Sequence, residues 1–128
     1  MRRILLDTHA FLWALSDDES LGDVAASIII NPDNQVFVSA VSIWEAGIKV
    51  KLNKLVAPDN LDEAIQLLGC KELPISAFHG KQAAKLPMHH ADPFDRLLIA
   101  QAQAEGLELM TCDSVFPLYG IQLIDAKR

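Results

Sequence analysis

The chain has 128 residues, 51% hydrophobic and 22% charged, with a formal net charge of −6. That length suits one soluble domain spanning residues 1–128 with a real core, and no apolar run approaches the ~20 residues of a membrane span. The acidic balance excludes a protein that coats nucleic acid by bulk charge, but not an enzyme whose carboxylates gather around divalent cations, because bound metal inverts the local sign of such a pocket. Arg2-Arg3 precede only a very short apolar stretch, so no signal peptide is expected. Cys70 and Cys112 are far apart and form no CxxC pair, which reads as two buried thiols in a reducing cytoplasm.

Ile4-Leu5-Leu6-Asp7 is a short apolar run that ends on a carboxylate. Such a run ahead of a helical pattern predicts a buried parallel strand. Asp7 then lies at its carboxyl end, where open α/β sheets place their ligands. A short helix is expected over 10–15 and a second over 21–30, stopped by Asn31-Pro32-Asp33-Asn34. Val36-Phe37-Val38 predicts the second strand, followed by a helix over 39–51 whose start carries the capping-box pattern Ser42-x-x-Glu45. An amphipathic helix over 61–68 ends at Gly69, a short strand covers 71–75, and another helix covers 76–85. The His-bearing loop 86–91 leads into Asp92-Pro93-Phe94-Asp95 and a long apolar helix ended by Gly106. A strand over 107–111 delivers Cys112-Asp113, a single turn is expected over 115–118, and an edge strand over 120–124 closes the chain. Alternating strands and helices predict an α/β fold, a mostly parallel sheet covered on both faces.

Four boundaries carry a carboxylate, and each has an ordinary structural explanation beside the functional one. Asp7 suits a helix N-cap, but Thr8 suits it equally, which would leave Asp7 available. Glu45 fits the capping box, yet it follows the second strand at the same end of the sheet as Asp7. Pro93 favours the first helical position, which makes Asp92 the natural N-cap and puts Asp95 third, in the first turn. There the helix dipole favours the ionised form that a metal ligand requires. Asp113 suits a turn. One such junction means little, whereas four point to a shared metal site. Asp92 also lies four residues before Arg96, a spacing at which the two can pair. His89 and His90 are adjacent and poorly spaced for a two-His-one-carboxylate iron site. They read as loop residues beside the site, in reach of substrate. Lys49, Lys51 and Lys54 form a basic cluster that is either a solvated helix end or a phosphate-contacting rim. Trp13 and Trp44 read as core or interface aromatics rather than base-stacking ones.

Leu5-Leu6-Asp7-Thr8-His9, Ser39-x-x-Ser42-x-Trp44-Glu45, His90-x-Asp92-Pro93-Phe94-Asp95-Arg96-x-Leu98-Ile99-Ala100-Gln101-Ala102 and Met110-Thr111-x-Asp113 resemble PIN-domain proteins, most closely the VapC-type ribonuclease toxins of bacterial toxin–antitoxin pairs. The resemblance covers nearly the whole chain in order, and the His-x-Asp-Pro-Phe-Asp-Arg block is its most specific part. It implies a three-layer α/β/α fold and a Mg²⁺- or Mn²⁺-dependent endoribonuclease that hydrolyses RNA with a metal-activated water. Asp7, Glu45, Asp95 and Asp113 match the family's acidic metal ligands, and Asp92 falls outside the four. Thr8 matches the small hydroxyl residue after the first Asp. Thr8, His90, Lys49 and Arg96 are the expected substrate contacts. A homodimer is implied, as is a small VapB-like antitoxin whose C-terminal segment covers the pocket, with an Arg that can displace metal. An apolar groove beside Phe11, Leu12, Trp44 and Ile48 would receive it. Two rivals stand beside this reading. A receiver or haloacid-dehalogenase-like phosphatase also places Asp after strand one, but the phosphatase's second Asp is here His9. A catalytically silent RNA- or protein-binding scaffold would keep the fold alone.

Overall fold

A computed structural model describes residues 1–113 and 116–128. Among them the order is β1 (Arg3–Leu6), α1 (Thr8–Ser16), α2 (Asp23–Ile30), β2 (Gln35–Ser39), α3 (Ala40–Lys51), α4 (Leu61–Leu67), β3 (Lys71–Leu73), α5 (Ala77–Lys85), α6 (Pro93–Glu105), β4 (Glu108–Thr111), a 3-10 turn (Phe116–Tyr119) and β5 (Leu123–Asp125). The strands form one sheet in the order β3-β2-β1-β4-β5, and every pairing is parallel. β1 is central, with Leu6 opposite Val38 on one side and Met110 on the other. This is the expected α/β architecture with β1 at its middle.

The period-two alternation of β1 explains why its three buried residues, Ile4, Leu5 and Leu6, are all apolar, while Arg3 at its exposed start is not. Ile4 and Leu6 enter a core with Phe11, Ala25, Ile29, Ala46 and Ile65, while Leu5 enters a second core with Leu98, Ile99, Leu109 and Phe116. A sheet covered by helices on both faces cannot afford a polar residue on either side of its central strand. All three side chains are fully buried, each contributing roughly 1.5–3 kcal/mol by leaving water. No helix among the described residues is long and apolar enough to cross a membrane.

Several boundaries differ from the sequence expectation, α1 beginning at Thr8 rather than at residue 10 and β5 running over Leu123–Asp125 rather than 120–124, and three more differ for identifiable reasons. α2 begins at Asp23 rather than at residue 21, because Gly22 is its N-cap. The amides of Gly22 and Val24 donate to the carbonyls of Ala126 and Arg128 at 2.9 and 3.0 Å, so the end of the chain does the capping. A Cβ at Gly22 would clash with the Arg128 backbone. β3 stops at Leu73, where Pro74 withholds an amide from the ladder. The turn expected over 115–118 is a 3-10 turn at Phe116–Tyr119, and Val115 lies outside the described residues.

Candidate metal centre

The polar cluster forms at the carboxyl ends of β1, β2 and β4, beside the N-terminal turns of α1, α3 and α6. Asp7 extends the central ladder, its amide donating to the Met110 carbonyl at 3.0 Å. Its φ/ψ of −73°/174° is extended, and its Oδ1 accepts from the Ala10 amide at 2.8 Å. Asp7 is therefore itself the N-cap of α1, and Thr8, already inside the helix, is not. Capping leaves the carboxylate 5% exposed. Burial pushes its pKa up, partly offset by the Ala10 amide and the Thr111 side chain, and Glu45 pushes in the same direction as burial.

Thr8 turns its hydroxyl across to α3. It donates to Glu45 Oε1 at 2.6 Å and lies 3.0 Å from the Ser42 hydroxyl. The expected capping box at Ser42 does not form. Ser39 caps α3 through the Val41 amide at 3.1 Å, three residues before the expected cap at Ser42, which puts Glu45 in the second turn. Glu45 is 6% exposed, and its Oε2 meets the Lys49 ammonium at 3.0 Å, one turn along the helix.

At α6 the expectation holds. Asp92 is the N-cap, with Oδ1 accepting from the Phe94 and Asp95 amides at 2.8 and 3.2 Å, and Pro93 opens the helix. Asp95 is also perturbed. Its carboxyl is pushed up to about 7, first by burial and then by the negative charges of Asp92, Glu45 and Asp113, against a lowering by His90. Asp113 follows β4, and its amide donates to Thr111 Oγ1 at 3.0 Å. Between the two acids stands His90. Its Nε2 hydrogen-bonds Asp113 Oδ2 at 3.0 Å and lies 3.0 Å from Asp95 Oδ2.

One atom each from His90, Asp95 and Asp113 all lie within 4.8 Å of one another. The electrostatic coupling of Asp95 to Glu45, and of Glu45 to Asp7, joins the four acids into one cluster. Asp7 and Asp95, driven toward the neutral form by burial and by neighbouring carboxylates, sit where positive charge is lacking. Oxygen donors with an adjacent imidazole are a set that hard or borderline divalent cations accept, so the residues present fit such an ion.

Two expected roles change. Arg96 does not face a substrate and does not pair with Asp92. It is 9% exposed and its guanidinium donates to four carbonyls, those of Ala83 and Leu86 at 2.8 and 2.9 Å and of Pro87 and His90 at 3.0 and 3.2 Å. Its planar fork clasps the loop 86–90, a task that periodicity in the sequence does not signal. Phe11 is wholly buried and lines no groove. Trp44, expected as a core or interface aromatic, lies on the surface side: it is 63% exposed and meets Phe94 edge-on, with ring centroids 5.1 Å apart. Sequence reasoning missed Tyr119, whose hydroxyl donates to the Pro87 carbonyl at 2.9 Å and accepts from the His90 amide at 2.6 Å. The two most prominent cavities lie away from the acids. One of about 480 Å³ runs between Trp13 and Pro58, and one of about 400 Å³ lies along α3 beside Ile43, Trp44, Ile48 and Leu52. Metal and phosphate chemistry needs converging charges rather than volume, so the candidate site is the acid cluster.

The family model described as PIN domain matches residues 4–121. No match is found among curated proteins. Solved structures similar to the chain include DNA-bound VapBC from Salmonella typhimurium (TM-score 0.70, 17% identity, 98% of each chain covered). FitAcB from Neisseria gonorrhoeae is similar with TM-score 0.65 and 18% identity, covering 96% of this chain and 97% of that one. VapBC2 from Rickettsia felis bound to a promoter DNA fragment follows with TM-score 0.64 and 16% identity, covering 95% and 97%. At these identities the likeness is one of fold.

Proposed function

The chain belongs to the PIN-domain family, and from that premise we propose that it is a divalent-metal-dependent endoribonuclease, the toxin of a toxin–antitoxin pair acting in the cytoplasm. The observation that carries this reading is the cluster itself: Asp7, Glu45, Asp95 and Asp113 brought to one end of the sheet, with Asp95 pushed up to about 7 by burial and by the neighbouring carboxylates. These four would hold Mg²⁺ or Mn²⁺. Bound there, the cation would supply an activated water and offset the charge developing on a phosphodiester.

The chain's own groups do the rest. The Ala10 amide fixes the Asp7 carboxylate, and the Thr8 hydroxyl orients Glu45. Lys49, 3.0 Å from Glu45, is near enough to the cluster to meet a substrate phosphate. It offsets locally the net charge of −6 that otherwise opposes RNA. The apolar groove along α3 with exposed Trp44 is the surface for a VapB-like antitoxin, whose Arg could lie against the carboxylates. The active species is a homodimer.

The test is incubation of purified, antitoxin-free protein with total cellular RNA, with and without Mg²⁺ or Mn²⁺, beside Asp7→Asn. Asn caps a helix as well as Asp does, so this variant removes charge without removing the cap. Discrete cleavage that requires metal and disappears in Asp7→Asn supports the reading. Folded protein that cleaves with neither metal overturns it and leaves a silent binding scaffold.

A further inference from the structure

His90 is held at four points. Its amide donates to the Tyr119 hydroxyl at 2.6 Å, and its carbonyl accepts from Arg96 at 3.2 Å. Its ring meets Phe116 with centroids 5.6 Å apart. Its Nδ1 accepts from the Asp92 amide at 3.3 Å. This last bond decides the chemistry. A ring nitrogen that accepts from a backbone N–H carries no proton, so in the neutral imidazole the proton is on Nε2. Nε2 is therefore a donor, and it is aimed at Asp113 Oδ2 and Asp95 Oδ2, each 3.0 Å away.

A histidine that ligates metal through Nε2 needs that nitrogen bare and its other nitrogen protonated, usually donating to a carbonyl or carboxylate. Here the partner of Nδ1 is a donor, and a protonated Nδ1 would meet the Asp92 N–H head-on. The surroundings thus set His90 against ligation and for donation, although its position within the acid cluster alone would suit either role.

We propose that His90 is a positioning residue for the acidic site: its Nε2–H bridges Asp95 and Asp113 and presents the two carboxylates together to a divalent cation. The inference rests on the metal-dependent reading above. Two like charges in a partly buried pocket tend to splay apart, and a donor shared between them opposes this before any cation arrives. Each carboxylate has two oxygens, so one can stay on the imidazole while the other ligates. Arg96 and Tyr119 serve the same end one step further out, by fixing the loop that carries the ring.

Mn²⁺ titration by calorimetry on the antitoxin-free full chain tests this, with electron paramagnetic resonance of the bound ion. His90→Ala should bind Mn²⁺ about 10–100-fold more weakly, the usual cost of losing an outer partner of a metal ligand. His90→Gln, whose amide also donates, should recover most of the affinity. Wild-type Mn²⁺ should show no hyperfine coupling to a directly bound imidazole nitrogen. Equal affinity in wild type and His90→Ala overturns the proposal, as does a Gln variant as weak as Ala, which would mean lost packing alone. Imidazole coupling that vanishes in His90→Ala also overturns it, by making His90 a ligand. A folded wild type that binds no Mn²⁺ overturns the metal reading itself, and is told apart because the fault then appears before any substitution.

Discussion

The Thr8 hydroxyl donates to Glu45 Oε1 at 2.6 Å across 37 residues of sequence, tying the first turn of α1 to the second turn of α3. Both groups are buried, so the bond is short, charge-assisted and shielded from water. Thr8→Val keeps the shape and removes the donor. It should cost about 1.5–3 kcal/mol in urea unfolding, the range for a hydrogen bond to a charged group. RNA cleavage should fall with it, as Glu45 loses its orientation. Thr8→Ser should retain both properties. A Val variant as stable and active as wild type would mean that Glu45 is oriented by Lys49 and the helix alone.

The raised pKa of Asp95 fixes the sign of a pH dependence. In the unfolded chain this carboxyl titrates at its ordinary 3.8, and in the folded metal-free chain at about 7. Between those values the folded state binds the extra proton, so stability falls as pH rises from about 4 to about 7 and then levels. Asp7, raised by burial, adds in the same direction. Thermal unfolding in chelator should show this slope, and Asp95→Asn should flatten it and stabilise the metal-free protein above about pH 7. Added Mg²⁺ needs the ionised carboxylate, so its stabilising shift in Tm should be larger at about pH 8 than at about pH 6. A metal-free protein whose stability rises across that window would contradict the crowded, uncompensated cluster.

Arg96 holds a loop rather than a ligand, and its substitution should read as folding. Arg96→Lys replaces a planar fork with one ammonium that cannot reach carbonyls on four residues of a curved loop. With some of those carbonyls left to find water, the loss should be about 2–4 kcal/mol in urea. Mn²⁺ affinity should fall as well, because the His90 ring is released from its aim. Wild-type stability in this variant would show the loop to be held by Tyr119 alone.

The distinction between Arg96 as clasp and Arg96 as substrate contact marks where the sequence stops being informative. Element order, the burial of β1 and the Asp92-Pro93 cap are local: periodicity, a proline at the first helical position and Gly106 at φ 66° specify them within a few residues. The start of α3 is not local. Ser39 and Ser42 are equally good caps as residues, and the choice falls to Ser39 because it is still paired opposite Leu73 in the sheet. Ser42 is then free to meet Thr8. Asp7 and Thr8 pose the same problem, resolved by the ladder bond that keeps Asp7 extended. The gathering of Asp7, Glu45 and Asp113 at one end of a parallel sheet is legible from their recurrence after strands, whereas Asp95 reaches them on α6, which follows a helix and a loop rather than a strand. The aim of His90 is not legible, because it depends on loop carbonyls and a tyrosine 29 residues away.

Lys49 offers a test in which two effects oppose each other. Its ammonium sits 3.0 Å from Glu45 Oε2 with a side chain about a third exposed. One helical pair of this kind stabilises by only about 0.3–0.5 kcal/mol, so Lys49→Met should barely change Tm. In the metal-free protein, however, that ammonium is the cation nearest Glu45 and competes with a divalent ion for the same oxygen. Its removal should tighten Mn²⁺ binding a few-fold, by about the factor that 0.5–1 kcal/mol represents. If Lys49 then swings to the substrate phosphate, the same variant should show a higher KM for RNA and a shallower dependence of binding on salt. Tighter metal with unchanged KM would confine Lys49 to neutralising Glu45, and weaker metal would show that it orients the carboxylate instead of competing for it.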